Sequence, residues 1–273
     1  MSQIPSASAP SSPSPALPPL PGRLFDAHNH GRFGSDGSDL IARMDAHAIE
    51  RAVVLGLPPG PDSASNEVTL NAVRRQGGRL IGGVYVDPRD SSAVEEIRRY
   101  HGEGFRLVKL FPNHGYYPDD DALRPFFAEV ARLGMAVQSH CGWLFPSPGA
   151  DYASYYSHPG RFEKIIRIHP ETVFILAHMG GIAGFLESVM LTTRTPNTFV
   201  DCSPGQGLWA LEYAGSLLAA MPPGRILWGC DSYDYADYIP RYHAAFVKLG
   251  FGQHLAGIFH DNADQLLRRI GAI

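Results

Sequence analysis

The sequence predicts an α/β fold of the (β/α)8 TIM barrel class, forming a single domain over residues 23–273 with an additional C-terminal helix. Three observations predict it. Short apolar runs alternate with amphipathic stretches eight times, in a length of about 250 residues that suits such a barrel. Several runs, such as Arg51-Ala-Val-Val-Leu-Gly-Leu57, are continuously apolar, as buried parallel strands are. Polar groups able to bind a metal or move a proton recur at the ends of the runs, where barrels of this class keep their chemistry. A doubly wound open sheet is the runner-up. Against it, no strand leads into a Gly-rich phosphate turn, since Gly82-Gly83 and Gly180-Gly181 lack the spacing.

The elements follow in order. Leu24–His30 is the first strand, with its helix near Ser38–His47. Arg51–Leu57 is the second; its helix carries Val68, Leu70 and Val73 and stops at Gly77-Gly78. Leu80–Val86 is followed by a helix near Ala93–His101. Phe105–Phe111 leads through a loop rich in Pro, Gly, Tyr and Asp to a helix over Ala122–Leu133 that closes on Gly134. Ala136–His140 is the fifth strand, and a long loop, Cys141–Ser157, separates it from a helix near Arg161–Ile168. Val173–His178 opens into a helix around Ile182–Thr193. Asn197–Asp201 precedes one near Leu208–Ala220, and Arg225–Asp231 one near Pro240–Leu249. A further amphipathic helix, about Ala256–Ile270, finishes the chain.

Residues 1–22 stand apart. They hold seven prolines and six serines, with no basic residue and no apolar core of the kind a signal peptide needs. Such a segment cannot offset its ordering entropy by burial, so a disordered or extended tail is expected, with a docking role as the alternative. The 23 basic and 27 acidic residues leave a net charge of −4. That balance gives no nucleic-acid footprint and no polybasic membrane patch. No apolar run reaches the roughly 18 residues of a membrane span. Three cysteines do not make a disulfide framework, so a cytoplasmic protein is expected. By alternation Cys141 and Cys230 face away from His140 and Asp231, which favours packing; a nucleophilic cysteine would lack a defined base.

The strand ends carry the functional signal. His28 and His30, spaced i, i+2 at the end of an apolar run, would point the same way from a strand. Lys109 comes near the end of the fourth strand, His140 ends the fifth, His178 the sixth and Asp231 the eighth. Singly, His140 and His178 read as core histidines and Asp231 as a helix cap. Together, histidines and a carboxylate on four strand ends suit a divalent transition metal, zinc first, manganese or iron next. His114 lies in the loop after the fourth strand, while His47, His101, His158, His169, His243, His254 and His260 read as structural.

These pieces resemble the amidohydrolase superfamily, in the branch related to aminocarboxymuconate-semialdehyde decarboxylase. The matching segments are Phe25-Asp-Ala-His-Asn-His30, Gly104-Phe-Arg-Leu-Val-Lys-Leu110, Pro118-Asp-Asp-Asp-Ala-Leu-Arg-Pro125, Ala136-Val-Gln-Ser-His-Cys-Gly142, Phe174-Ile-Leu-Ala-His-Met-Gly-Gly181 and Arg225-Ile-Leu-Trp-Gly-Cys-Asp231, with Asn262-Ala263 near the end. The resemblance implies His28 and His30 as the first ligand pair, His140 as the ligand from the fifth strand and Asp231 as ligand and proton shuttle. It implies His178 as the histidine that polarises the reacting group or orients water, or that binds a second ion in two-metal relatives. Cys230 and Ser232-Tyr233 depart from the usual Gly-Ser-Asp-Tyr-Pro around that aspartate, so contacts with substrate there stay open. Lys109 is either a carboxylated bridge between two metals or an ordinary lysine pairing with an acid or a substrate carboxylate, the latter preferred because this branch commonly uses one metal.

The expected activity is a metal-dependent hydrolase of a small amide, lactone or ester, with Asp231 and His178 catalytic. A non-oxidative decarboxylase uses the same residues, and a catalytically silent barrel is a third reading. The small-molecule substrate is expected to be cyclic or to bear a carboxylate, because the mouth loops carry Asn113, His114, Tyr116, Tyr117, Trp143, Phe145, Tyr152, Tyr155, Tyr156, Tyr233 and Tyr235. The alternative is that these aromatics cover the barrel top or a subunit contact. Arg32, Lys109, His114, Trp143 and Tyr233 are the candidate substrate contacts, Arg32 as a carboxylate grip or else a surface residue. A homodimer would be a common outcome.

Overall fold

The structure, a computed structural model, describes residues 17–31, 36–60, 64–143 and 153–273. Arg32, Phe145, Tyr152 and tail residues 1–16 lie outside the described residues. Eight parallel strands run side by side in sequence order, as expected. They are β1 (Leu24–Asn29), β2 (Ile49–Leu55), β3 (Leu80–Tyr85), β4 (Leu107–Leu110), β5 (Ala136–Ser139), β6 (Phe174–Leu176), β7 (Thr198–Asp201) and β8 (Ile226–Leu227). The intervening helices are α1 (Ser38–Ala46), α2 (Asn66–Arg75), α3 (Ala93–Gly102), α4 (Arg124–Arg132), α5 (Glu163–Ile168), α6 (Gly181–Arg194), α7 (Gln206–Ala214) and α8 (Tyr235–Lys248). The helix expected from Pro240 begins at Tyr235 because Asp234 caps it, accepting from the Ala236 amide at 2.9 Å.

The circle is drawn together between β1 and the segment after β8. Ala27 N donates to Trp228 O, and Cys230 N to His28 O. A Cβ on Gly229 would stand 2.7 Å from His28 Cβ, so the missing side chain permits this approach. Inside the barrel, Phe25, Ala27, Val53, Leu55, Leu107, Ile175 and Phe199 meet Ala263, Leu266 and Leu267 of α9 (Asn262–Arg269). The last helix therefore plugs the end of the barrel opposite the strand termini. A larger apolar layer fills the space between strands and outer helices. No helix among the described residues is long and apolar enough to cross a membrane.

The strands are shorter than the apolar runs suggested, and this matters for the site. His140 follows β5, His178 lies two residues past β6, and Asp231 lies four past β8. The polar groups therefore sit on the turns that leave the ladder.

Candidate metal centre

Local irregularities aim the histidines. Asp26 pairs with Ala52 and Asn29 with Val54, so β1 spends one more residue than β2 over that stretch. A bulge of this kind reverses the alternation of side chains. Phe25 and Ala27 face the barrel interior, and after the irregularity His28 turns inward as well. Asp26 fixes the local shape: its carboxylate accepts from the His28 amide, the Cys230 amide, Asn29 Nδ2 and the Tyr235 hydroxyl. Burial raises Asp26 to about 6 against the lowering effect of those bonds. Tyr235, expected at the mouth, is instead buried in this support.

His178 and Asp231 are positioned by backbone that only glycine adopts freely. His178 (φ 56°) and Met179 (φ 57°) are left-handed, as are Asp231 (φ 49°) and Ser232 (φ 65°). Strain of this sort gathers at functional positions, held by the surrounding structure. The Asp231 amide is tied to His28 O at 2.6 Å, and Ser232 Oγ both donates to Asn29 Oδ1 and accepts from the His30 amide.

Three potential ligand atoms converge. His28 Nε2 and His30 Nε2 are 3.3 Å apart. Asp231 Oδ1 lies 3.1 Å from His30 Nε2 and 3.6 Å from His28 Nε2. Donors held ~2.1 Å from one tetrahedral ion are separated by roughly 3.4 Å, so the spacing matches a single small cation. His140 stands outside this triad. Its Nδ1 is 3.1 Å from His178 Nε2, and its buried Nε2 has no hydrogen-bond partner among the described residues.

The network assigns the tautomers. His28 Nδ1 donates to Asp201 Oδ2 at 3.0 Å and His30 Nδ1 to Leu55 O at 2.8 Å. Ser203 Oγ donates to the Asp201 carboxylate, the strongest acceptor within reach, and accepts from His178 Nδ1 at 2.8 Å. His178 Nε2 then accepts from His140 Nδ1. Every link leaves a lone pair on Nε2 of His28, His30 and His140, the form a metal requires. The electrostatics agree. Burial, with Lys109 adding to it, lowers His28 to about 4. Burial also lowers His178 and holds His140 well below the usual imidazole range, so all three are neutral near pH 7. Burial pushes Asp201 and Asp231 up, but the neighbouring histidines and hydrogen bonds outweigh it and keep both below the usual carboxylate range. The orphaned His140 nitrogen, the converging donors and this charge state together fit a bound divalent cation.

Asp201 and Ser203 escape the sequence reading, as does Gln138, whose Nε2 donates to Asp201 Oδ2 at 2.9 Å. Their signals were present: Asp201 ends the seventh apolar run as His140 and Asp231 end theirs, and Gln138 is an amide inside an apolar strand.

The candidate substrate contacts scatter more. Lys109 is fully buried, and its Nζ donates to His28 Nε2 at 3.1 Å. Burial lowers it to about 8. No carboxylate lies within ion-pair distance of it among the described residues, which departs from the acid pairing expected for an ordinary lysine. Phe111 stacks on His140 (5.6 Å, 9°) and also meets His114, which is thereby one ring removed from the centre. Trp143 is exposed, its backbone clasped by Gln206, and Tyr233 rests against Tyr238. Tyr117, Tyr155 and Tyr156 pack on one another, with Arg161 over Tyr117. Asn113, buried in the loop after β4, has neither Oδ1 nor Nδ2 bonded to any of the described residues. The three cysteines are buried and free, and burial raises each thiol, which agrees with packing and not nucleophilic roles.

Comparison with known proteins adds to this geometry. The family model for amidohydrolases matches residues 25–269. No curated protein matches the chain. A protein assigned as a 2-pyrone-4,6-dicarboxylic acid hydrolase from Pseudomonas putida is similar, at 19% identity over 93% of this chain and 99% of that one (TM-score 0.65). The 5-carboxyvanillate decarboxylase of Sphingomonas paucimobilis is similar at 15% identity over 91% and 99% (TM-score 0.65). That of Novosphingobium aromaticivorans, solved with manganese and 4-hydroxy-3-methoxy-5-nitrobenzoic acid, is similar at 17% over 86% and 80% (TM-score 0.64).

Proposed function

This chain belongs to the amidohydrolase family, and from that premise we propose that it is a metal-dependent hydrolase of a small, cyclic, carboxylate-bearing amide, lactone or ester. The observation that carries the proposal is the convergence of His28 Nε2, His30 Nε2 and Asp231 Oδ1, with each imidazole oriented through its other nitrogen. His28, His30 and Asp231 would hold one divalent ion, and His140 would complete the set with its unpartnered Nε2. Zinc is the first candidate and iron another; manganese gains support from the Novosphingobium enzyme. Such an ion supplies Lewis acidity and brings the pKa of water toward ~7.

The protein's own groups do the rest. Asp231, ionised and at the edge of the cluster, takes a proton from water and returns it to the leaving group. His178 is a positioning residue here, because its Nε2 is committed to His140. Ser203 and Asp201 anchor that pair from behind. Asn113 offers an unbonded amide to a polar substituent of the substrate, and Lys109 a positive charge to a carboxylate. Free, buried thiols are consistent with a cytoplasmic setting.

Non-oxidative decarboxylation is the second reading, favoured by two neighbours named for that reaction. A screen of cyclic esters, amides and aromatic acids in 18O water separates them. Hydrolysis puts the label into the product acid. Release of CO₂ with no label in the product would replace hydrolysis with decarboxylation.

A further inference from the structure

We propose that two copies of this chain pair through the outer face of α6 and α7. Ile182, Leu186 and Met190 stand at i, i+4 and i+8 on α6, forming a straight stripe. Trp209 and Tyr213 form a second stripe on α7, and Leu217 continues it in the following turn. All six are exposed, from 43% at Leu217 to 80% at Tyr213. The two helices pack side by side, so the stripes adjoin.

An outward helix face on a barrel is ordinarily polar. On α3 the exposed residues are Glu95, Arg98, Arg99 and His101's neighbour Gly102, a charged surface. On α6 and α7, by contrast, the charged side chains are Glu187, Arg194 and Glu212, and the two glutamates are only partly exposed, Glu187 turned to the Gly160 amide and His158 and Glu212 to Arg241. The six side chains together present on the order of 700 Å² of accessible surface, above the roughly 300–600 Å² of the largest patch on a typical monomer. It is close to the ~800 Å² that each partner contributes to a standard interface.

The composition selects the occupant. Trp, Tyr and Met with few charges are what interface centres contain. An in-plane membrane helix would carry a lysine- and arginine-rich border, and α6 has Arg194 alone as its basic residue. A foreign protein partner of opposite charge finds no charge pattern to read here. A second copy fits on shape: one helix offers aliphatic side chains and the other aromatic ones. A two-fold axis can lay the aromatic stripe of each protomer on the aliphatic stripe of its mate, the self-complementarity an isologous dimer needs.

The face also adjoins the metal centre. α6 springs from the left-handed turn at His178, and α7 from the loop that follows Asp201 and holds Ser203. Gln206, at the start of α7, clasps the backbone of exposed Trp143. Pairing therefore braces the two helices that carry this part of the site.

Sedimentation equilibrium of the full chain tests the proposal. The unmodified protein is expected as a dimer at about 10 μM, and the double variant Leu186→Glu with Tyr213→Glu as a monomer, its dissociation constant raised at least ~100-fold. Arg99→Glu on α3 is expected to stay dimeric. Unmodified protein that is monomeric to about 100 μM, or a double variant that stays dimeric, would overturn it. Thiol labelling guards against misfolding of the charged variant. Because the native cysteines are buried, Met190→Cys should react at least ~10-fold more slowly than Arg99→Cys at dimeric concentrations. Equal rates there would also overturn the proposal.

Discussion

Asp201 Oδ2 accepts the Nδ1 proton of His28 at 3.0 Å, a bond between two fully buried groups that lie 173 residues apart in the chain. It fixes which imidazole nitrogen faces the centre. Through Ser203 the same carboxylate orients His178, and through His178 it orients His140. One aspartate thus sets the tautomer of two expected ligands.

Asp201→Asn should therefore weaken metal binding by about 10–100-fold, the usual effect of losing such a partner. Isothermal titration with zinc or manganese measures it, and circular dichroism confirms the fold. Unchanged affinity would show that Asp201 does not orient the ligands.

The stability of the metal-free protein should rise between about pH 4 and 6.5. His28, held at about 4 when folded, binds its proton more readily when unfolded, so stability is lost as pH falls through that window. The shift corresponds to ~3 kcal/mol. His140 and His178 act in the same direction. Asp26, raised to about 6, opposes them: its contribution fades as pH rises from its unfolded value toward 6. Three histidines against one carboxyl leave a positive slope. Thermal melts across the range measure it, and His140→Gln should flatten it.

Lys109 shares the His28 lone pair that a cation would use. Lys109→Met removes both that donor and a like charge, so metal affinity should rise by about 10-fold, while KM for a carboxylate substrate worsens. A loss of metal affinity would instead make Lys109 part of the ligand set, and intact-mass measurement would then look for its carboxylated form.

Asn113→Ala should raise KM by about 10-fold and leave kcat nearly unchanged, as expected when a ground-state hydrogen bond to substrate is removed. Steady-state kinetics on the substrate found by the screen decides it.

Much of this arrangement was legible in the chain. Alternating apolar runs located all eight strands, and polar residues ending them drew attention to His28, His30, His140, His178 and Asp231. Two things were harder to read. The irregularity in β1 depends on pairing with β2, so alternation alone could not show that His28 follows Ala27 into the interior. The mouth aromatics have no periodicity to orient them: Tyr235 turned inward to Asp26, and Tyr117, Tyr155 and Tyr156 chose one another. Asp201 was missed for a different reason. Its role is to orient a ligand, and that role exists only once the closed barrel brings the end of β7 within hydrogen-bond reach of the end of β1.

The most direct test is the metal content of protein purified without chelator, measured by plasma mass spectrometry beside His30→Ala and Asp231→Ala. One divalent ion per chain is expected, lost in both variants. A native protein with no stoichiometric ion, or variants that keep it, would contradict the assignment of these residues to a metal centre.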